Sequence, residues 1–263
     1  MKPTTRFLSS VIAVVLAASG LAAAGALPAS AASKPPVNKY VALGDSYAAG
    51  QGGGDYANAC LQSPNGYPAL LDAVKRTNLL RNVSCSGATT VDVTATQQSA
   101  LNRGTTMVTL TVGGNDLNVA GIAAACVSPD VDACGAAIAA AQALLTSGEL
   151  AGRLAATYAQ VAVRAPNARV VVTGYPILFA PSADPRIIQL NAATVFLNET
   201  IQGVVAQAQV IRPNSIDYVD VSAAFEGHAI GDLVSWFNVA GADAFHPTPA
   251  GYRAYAAAIK AVL

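Results

Sequence analysis

The sequence predicts a three-layer α/β domain built on a parallel sheet, and three observations predict it. Short β-rich runs alternate with helical stretches over about 225 residues, a length that suits one domain. The β-rich runs are full of valine and carry little polar alternation, which is the pattern of strands covered on both faces. No second linker, charge run or internal repeat breaks the alternation. In chain order, a strand is expected at residues 40–43, a helix at 67–76, a weaker strand near Val83 and a strong one at 107–112. The clearest helix covers 149–165, where Leu150, Leu154, Tyr158 and Val161 share one face and Thr146 with Glu149 forms a capping box. A strand at 169–173, a helix at 184–209 and a strand at 218–221 follow. The last helix, 249–263, begins with Thr248 and Pro249 in favoured N-cap and N1 positions.

The chain has 263 residues, 15 Lys+Arg against 15 Asp+Glu, and is 53% hydrophobic with only 11% charged residues. Without a basic cluster it has no footprint for nucleic acid and no polybasic membrane anchor. High hydrophobicity at zero net charge excludes a disordered chain. Lys2 and Arg6, an apolar run from 7 to 27 and the small-x-small Ala29-Ser30-Ala31 read as a secretory signal over 1–32, cleaved near Ala31 or Ala32. The run approaches spanning length, but Ser9, Ser10, Ser19 and several glycines dilute it, and no later stretch reaches 18 apolar residues. Residues 33–38, with Pro35-Pro36, form an extended linker, leaving 39–263 as one secreted domain, expected to be a monomer. In an oxidising compartment Cys60, Cys85, Cys126 and Cys134 are expected as two disulfides. Three pairings are possible. Cys60 with Cys85 and Cys126 with Cys134 is favoured, because each closes a short loop.

In an open parallel sheet, ligands bind beyond the carboxyl ends of the strands. The first strand is followed by Gly44-Asp45-Ser46-Tyr47, the second by Ser86-Gly87-Ala88 and the third by Gly113-Gly114-Asn115-Asp116. Before the last helix stands Asp243-Ala244-Phe245-His246-Pro247. A serine, a glycine, an asparagine and an Asp/His pair on one sheet edge are the parts of an acyl-transfer site. Ser46 needs a base to become a nucleophile, and His246, held at a Pro-restricted helix junction, is the better placed of only two imidazoles. Asp243 is expected to accept a hydrogen bond from the far ring nitrogen. The oxyanion would meet the Asn115 amide and the N–H groups of Gly87 and Ser46.

These four blocks resemble the SGNH (GDSL) hydrolase family, in particular its secreted bacterial esterase and lipase branch. The resemblance runs from about Tyr40 to the C-terminus and implies a flavodoxin-like sheet. It implies Ser46 as nucleophile, Gly87 and Asn115 in the oxyanion hole, and His246 with Asp243 as base and orienting acid, or, as in some members, with a main-chain carbonyl in place of the acid. It implies the same two disulfides. Relatives in this branch often carry a third cysteine pair near residues 227–231, which is missing here.

Other features carry less chemistry. His228 reads as structural, and Asp45 and Asp116 as buried groups that tie down their loops through backbone N–H groups. The glycines between 50 and 54 lack a phosphate-loop signature and read as a flexible rim of the site. The N-x-[ST] matches at Asn82 and Asn198 are at chance level. Trp236, Phe237 and Phe245, with Tyr47 and residues 175–179, are candidate walls of an acyl groove or simply core. No metal ligand set, cofactor motif or G-x-S-x-G elbow is present. The expectation is a cofactor-free serine carboxylester hydrolase acting on lipid or aliphatic esters, with transient contact to a lipid interface. Removal of small acyl groups from carbohydrate is the alternative, and a non-catalytic secreted binding protein is the alternative of another class.

Overall fold

The computed structural model describes residues 36–127 and 131–263. The expected signal over 1–32 and the first part of the linker, residues 33–35, lie outside the described residues, and Pro36–Leu263 forms one unit. Five parallel strands make up the sheet among the described residues: β1 (Asn38–Gly44), β2 (Thr77–Asn82), β3 (Met107–Thr111), β4 (Arg169–Thr173) and β5 (Ile216–Val219). Their order is β2-β1-β3-β4-β5. Every residue of β3 is buried, as are four of the five in β4, whereas the edge strand β2 alternates between half-buried and exposed. Valine-rich runs therefore occupy the centre, where helices cover both faces. The weak β signal near Val83 lies just past β2, and β5 begins two residues before its expected start.

Helices α1 (Ser46–Ala49), α2 (Tyr67–Asp72), α3 (Thr90–Ala95), α4 (Val119–Val127), α5 (Val131–Thr146), α6 (Glu149–Arg164), α7 (Pro185–Ile211) and α8 (Pro249–Lys260) complete the layers. On one face α2 packs against α8, and on the other α3, α6 and α7 lie in a row with α5 against α7. The face under α2 and α8 is joined by hydroxyls. Tyr67 bonds Thr111 at 2.9 Å, Thr111 bonds Thr173 at 2.6 Å, and Thr173 bonds Tyr255 at 2.7 Å. Thr109 and Thr111 point to the same face because strand side chains alternate, and Tyr40 satisfies Thr109 at 2.6 Å. A buried polar layer with every member paired holds the two helices in one register over the sheet.

Two local expectations are corrected. There is no capping box at Thr146. This residue ends α5, its hydroxyl donates back to Gln142 and Ala143 carbonyls, and Gly148 in the left-handed region starts α6. Helix α2 ends at Asp72, since Arg76 takes φ 74° to turn the chain into β2. Helices α4 and α5 were not foreseen, because their alanine-rich sequences show no polar stripe for periodicity to detect. Both expected disulfides are present, Cys60–Cys85 and Cys126–Cys134. Among the described residues no single helix is long and apolar enough to cross a membrane.

The strand order places the reversal of chain progression between β1 and β3. At such a switch point the following loops diverge to opposite faces and leave a crevice at the carboxyl ends of the strands.

Candidate active site

Ser46 stands in that crevice as the first residue of α1. The turn before it needs glycine. Gly44 has φ 130°, and a Cβ there would come within 2.2 Å of the Thr111 carbonyl oxygen. The buried Gln97 carboxamide clamps this turn from both sides, accepting from Gly44 N–H at 2.7 Å and donating to Gly44 O at 2.8 Å. Asp45 caps α1 by accepting the Tyr47 N–H at 3.0 Å. Burial pushes its carboxyl up from 3.8 to about 7, against the lowering effect of hydrogen bonds from Tyr175 and Tyr47.

His246 meets Ser46 from across the chain, with Nε2 2.8 Å from Oγ. Its Nδ1 lies 2.9 Å from the carbonyl oxygen of Ala244. A carbonyl only accepts, so Nδ1 carries the proton and Nε2 offers its lone pair to the serine hydroxyl. Burial lowers the imidazole pKa below its usual 6.5, opposed by the main-chain carbonyls of Ala244 and Asp243 and, less, by the charge of Asp243. The ring is therefore neutral at pH 7, as a base must be.

The expected partner of Nδ1, the Asp243 carboxylate, does not occupy that position. His246 N–H closes a tight turn on the Asp243 carbonyl at 3.1 Å, and Phe245 within it adopts φ 68°. The turn brings the Ala244 carbonyl onto the ring and leaves the Asp243 side chain against the Tyr56 hydroxyl, whose pKa it helps to raise. Four bonds hold this left-handed turn. Phe245 N–H donates to Asn238 O at 2.8 Å, Asn238 donates to His246 O from its main-chain N–H at 2.9 Å and its side-chain amide at 3.1 Å, and Tyr47 OH donates to Phe245 O at 2.7 Å.

Asn115 lines the same cavity as Ser46 and His246. Its amide nitrogen donates one hydrogen to Ala88 O at 3.0 Å, which orients the second. Gly87 lies in the adjoining turn with φ 82°. Its N–H has no protein acceptor among the described residues. The turn is tied to β1 by Cys85 N–H on Gly44 O at 3.0 Å and to its own side by the Cys60–Cys85 disulfide. Asp116 acts as expected for a loop tie, accepting Thr90 N–H at 2.9 Å and Thr90 Oγ1 at 2.6 Å, with Arg153 beside it at 3.4 Å.

Beside the Ser46–His246 pair opens an apolar cavity of about 100 Å³. Tyr47, Tyr175, Phe179 and Phe245 form part of its wall, as the sequence suggested. The rest comes from Leu117, from Ile122 on α4, Ala141 on α5 and Leu190 and Leu197 on α7. Trp236 and Phe237 belong elsewhere. Both pack on Phe225, and Trp236 stacks on His228 with centroids 3.6 Å apart. That stack, together with Trp236 N–H on His228 O and Ile230 N–H on Leu178 O, secures the segment where the third cysteine pair is missing. The glycine run is not a flexible rim. Residues 51–53 are buried, and a Cβ on Gly52 would reach 2.4 Å from Pro247 O, directly behind His246.

The model of the GDSL-like lipase/acylhydrolase family matches residues 42–254. The chain belongs to this family. It is 34% identical to Lipase 1 of Streptomyces coelicolor over 93% of this chain and 92% of that protein. The crystal structure of phospholipase A1 from Streptomyces albidoflavus superposes with a TM-score of 0.78 at 36% identity, covering 86% of this chain and 99% of that one. The extracellular lipase of Streptomyces rimosus gives the same TM-score at 32% identity, covering 86% and 100%. This GDSL family chain is thus an α/β carboxylic ester hydrolase of the lipase and esterase type.

Proposed function

We propose that the protein is exported, loses residues 1–32 and hydrolyses lipid or aliphatic esters through an acyl-enzyme on Ser46. One observation carries the reading: the 2.8 Å contact between His246 Nε2 and Ser46 Oγ at the mouth of an apolar cavity. His246 removes the serine proton as Oγ attacks the ester carbonyl, and the Ala244 carbonyl stabilises the imidazolium that forms, the task given to a carboxylate in other triads. Charge developing on the carbonyl oxygen is met by the N–H groups of Ser46 and Gly87 and by the Asn115 amide. His246 then returns the proton to the departing alcohol, and water repeats the sequence to release the acid. The cavity receives the acyl chain. Its lining of Leu, Ile and aromatic side chains favours hydrocarbon over a hydrated sugar. Export is supported by the two disulfides and by the extracellular S. rimosus lipase.

The test is hydrolysis of p-nitrophenyl esters from acetate to palmitate by the mature protein, with Ser46→Ala alongside. Turnover that rises beyond acetate and disappears in the variant is expected. A maximum at acetate would transfer the assignment to small-acyl or carbohydrate esters, and serine-independent turnover would overturn it.

A further inference from the structure

Asp45 and Gly114 each precede a residue of the proposed chemistry, Ser46 and Asn115, and a single phenol joins them. Tyr175 OH donates to Asp45 Oδ2 at 2.5 Å, and its oxygen accepts the Gly114 N–H at 3.0 Å. We propose that Tyr175 is a positioning residue whose hydroxyl sets the spacing between the nucleophile turn and the oxyanion loop.

The surroundings leave the phenol one position. Asn198 on α7 grips the Tyr175 backbone on both sides, accepting its N–H at 2.8 Å and donating to its carbonyl at 2.8 Å. The ring stands edge-on to Tyr47 with centroids 5.3 Å apart. It also lies so close to Gly114 that a Cβ there would meet ring and hydroxyl atoms at 3.3 Å, which accounts for a second glycine in the loop. Asn198, read from the sequence as a chance glycosylation match, is buried with its amide engaged in this grip. The phenol remains protonated, because burial and the Asp45 charge hold its pKa well above 10. It donates to the carboxylate while its oxygen lone pair serves Gly114, and no proton leaves it.

The carboxylate is the variable member. The ionisable groups that face Asp45 are Tyr47 on α1, Tyr67 on α2, Tyr175 after β4, and Tyr252 and Tyr255 on α8, all protonated, and no cation among the described residues contributes to its titration. Charged Asp45 accepts the Tyr47 N–H on one oxygen and the Tyr175 hydroxyl on the other. Protonated, it has a hydrogen of its own to place and competes with the phenol for the role of donor, so the Gly114 loop loses its fixed anchor. The bridge is thus strongest above about pH 7, where the carboxyl is ionised.

This inference rests on the serine-hydrolase reading. Its test is kcat and KM for a short p-nitrophenyl ester from about pH 5 to about pH 9 with wild type, Tyr175→Phe, Asp45→Asn and the double variant. Tyr175→Phe keeps the ring, its contact with Tyr47 and the cavity wall, and removes only the bridge. The expected result is a fall in kcat of roughly 10- to 100-fold, as for a sub-ångström misplacement of reacting groups, with KM within about two-fold. The inflection near pH 7 should move to higher pH, because the carboxyl loses its strongest lowering partner. The double variant should be no slower than the slower single one, since both break the same bridge. Wild-type kcat in Tyr175→Phe, a loss without movement of the inflection, or losses that multiply would each overturn the proposal. If Tyr175→Phe does not fold, Asp45→Asn decides alone: an inflection near pH 7 that survives in it overturns the bridge. Ser46→Ala separates the two levels, because turnover surviving in that variant removes the serine mechanism itself.

Discussion

At the scale of single residues, the most consequential contact is the one between His246 Nδ1 and a main-chain oxygen. The Asp243 carboxylate stands close enough to contribute charge to the imidazole but makes no hydrogen bond to it. Asp243→Ala is therefore expected to lower kcat only a few-fold, where removal of a bonded triad acid costs about 10⁴-fold. A steady-state comparison at saturating ester decides this, and a loss of several thousand-fold would show that the carboxylate takes over in the working enzyme. Asn115→Ala should lower kcat by roughly 10²- to 10³-fold with little change in KM, the cost of one missing oxyanion donor. Wild-type kcat in that variant would remove Asn115 from the oxyanion hole. Ser46 and Asn115 could be read from the sequence because each lies just past a strand end, and His246 because it stands at the Pro-restricted start of the last helix, so that chemistry and chain position coincide. The Ala244 carbonyl could not, since every residue offers a carbonyl and only the left-handed Phe245 turn selects this one.

At the scale of elements, the two disulfides serve different parts of the site. Cys126–Cys134 joins α4 to α5, two walls of the acyl cavity, while Cys60–Cys85 braces the turn that carries Gly87. By loop-closure entropy the shorter cross-link is worth about 2.5 kcal/mol and the longer about 3.5 kcal/mol. Replacing Cys126 and Cys134 by serine should flatten the dependence of kcat/KM on acyl-chain length while acetate turnover persists. Replacing Cys60 and Cys85 should depress turnover on every chain alike. Profiles from acetate to palmitate compare the two, and identical profiles would refute the division of labour. Helices α4 and α5 were illegible for a physical reason. Alanine packs on any side of a helix, and the cavity they enclose is a property of spacing between helices, which no local pattern records. The amphipathic α6, by contrast, was legible almost to its last residue, because a polar face against water writes a period into the sequence.

For the whole molecule, the buried carboxyl of Asp45 makes stability depend on pH. Its pKa is raised on folding, so the native state binds this proton more tightly than the unfolded chain does. The stabilisation is complete below about pH 4, declines as the pH rises and is lost at about pH 7, where the folded carboxyl titrates. His246 acts in the opposite sense, contributing stability above its usual 6.5 that is lost as the pH falls through its lowered folded value. Asp45→Asn removes the first effect alone. Its Tm relative to wild type should climb between about pH 4 and about pH 7 and then level off. Thermal unfolding at a series of pH values checks this, and a constant difference would show that Asp45 does not titrate in that range. The global topology was legible in outline, since valine-rich strands separated by helices admit few arrangements other than a parallel sheet. The long-range ties were not. Gln97 with Gly44, Tyr175 with Asp45 and Asn198 with Tyr175 pair side chains with partners 53, 130 and 23 residues away, and neither end carries a mark of the other.

A histidine oriented by the Ala244 backbone also changes what heredity can do to the site. Every codon at that position encodes the same carbonyl, so no missense change deletes the oxygen itself. Drift can alter it only by shifting the turn, through an insertion, a deletion or a residue that refuses the Phe245 conformation. The orienting group is thereby sheltered from the commonest class of mutation.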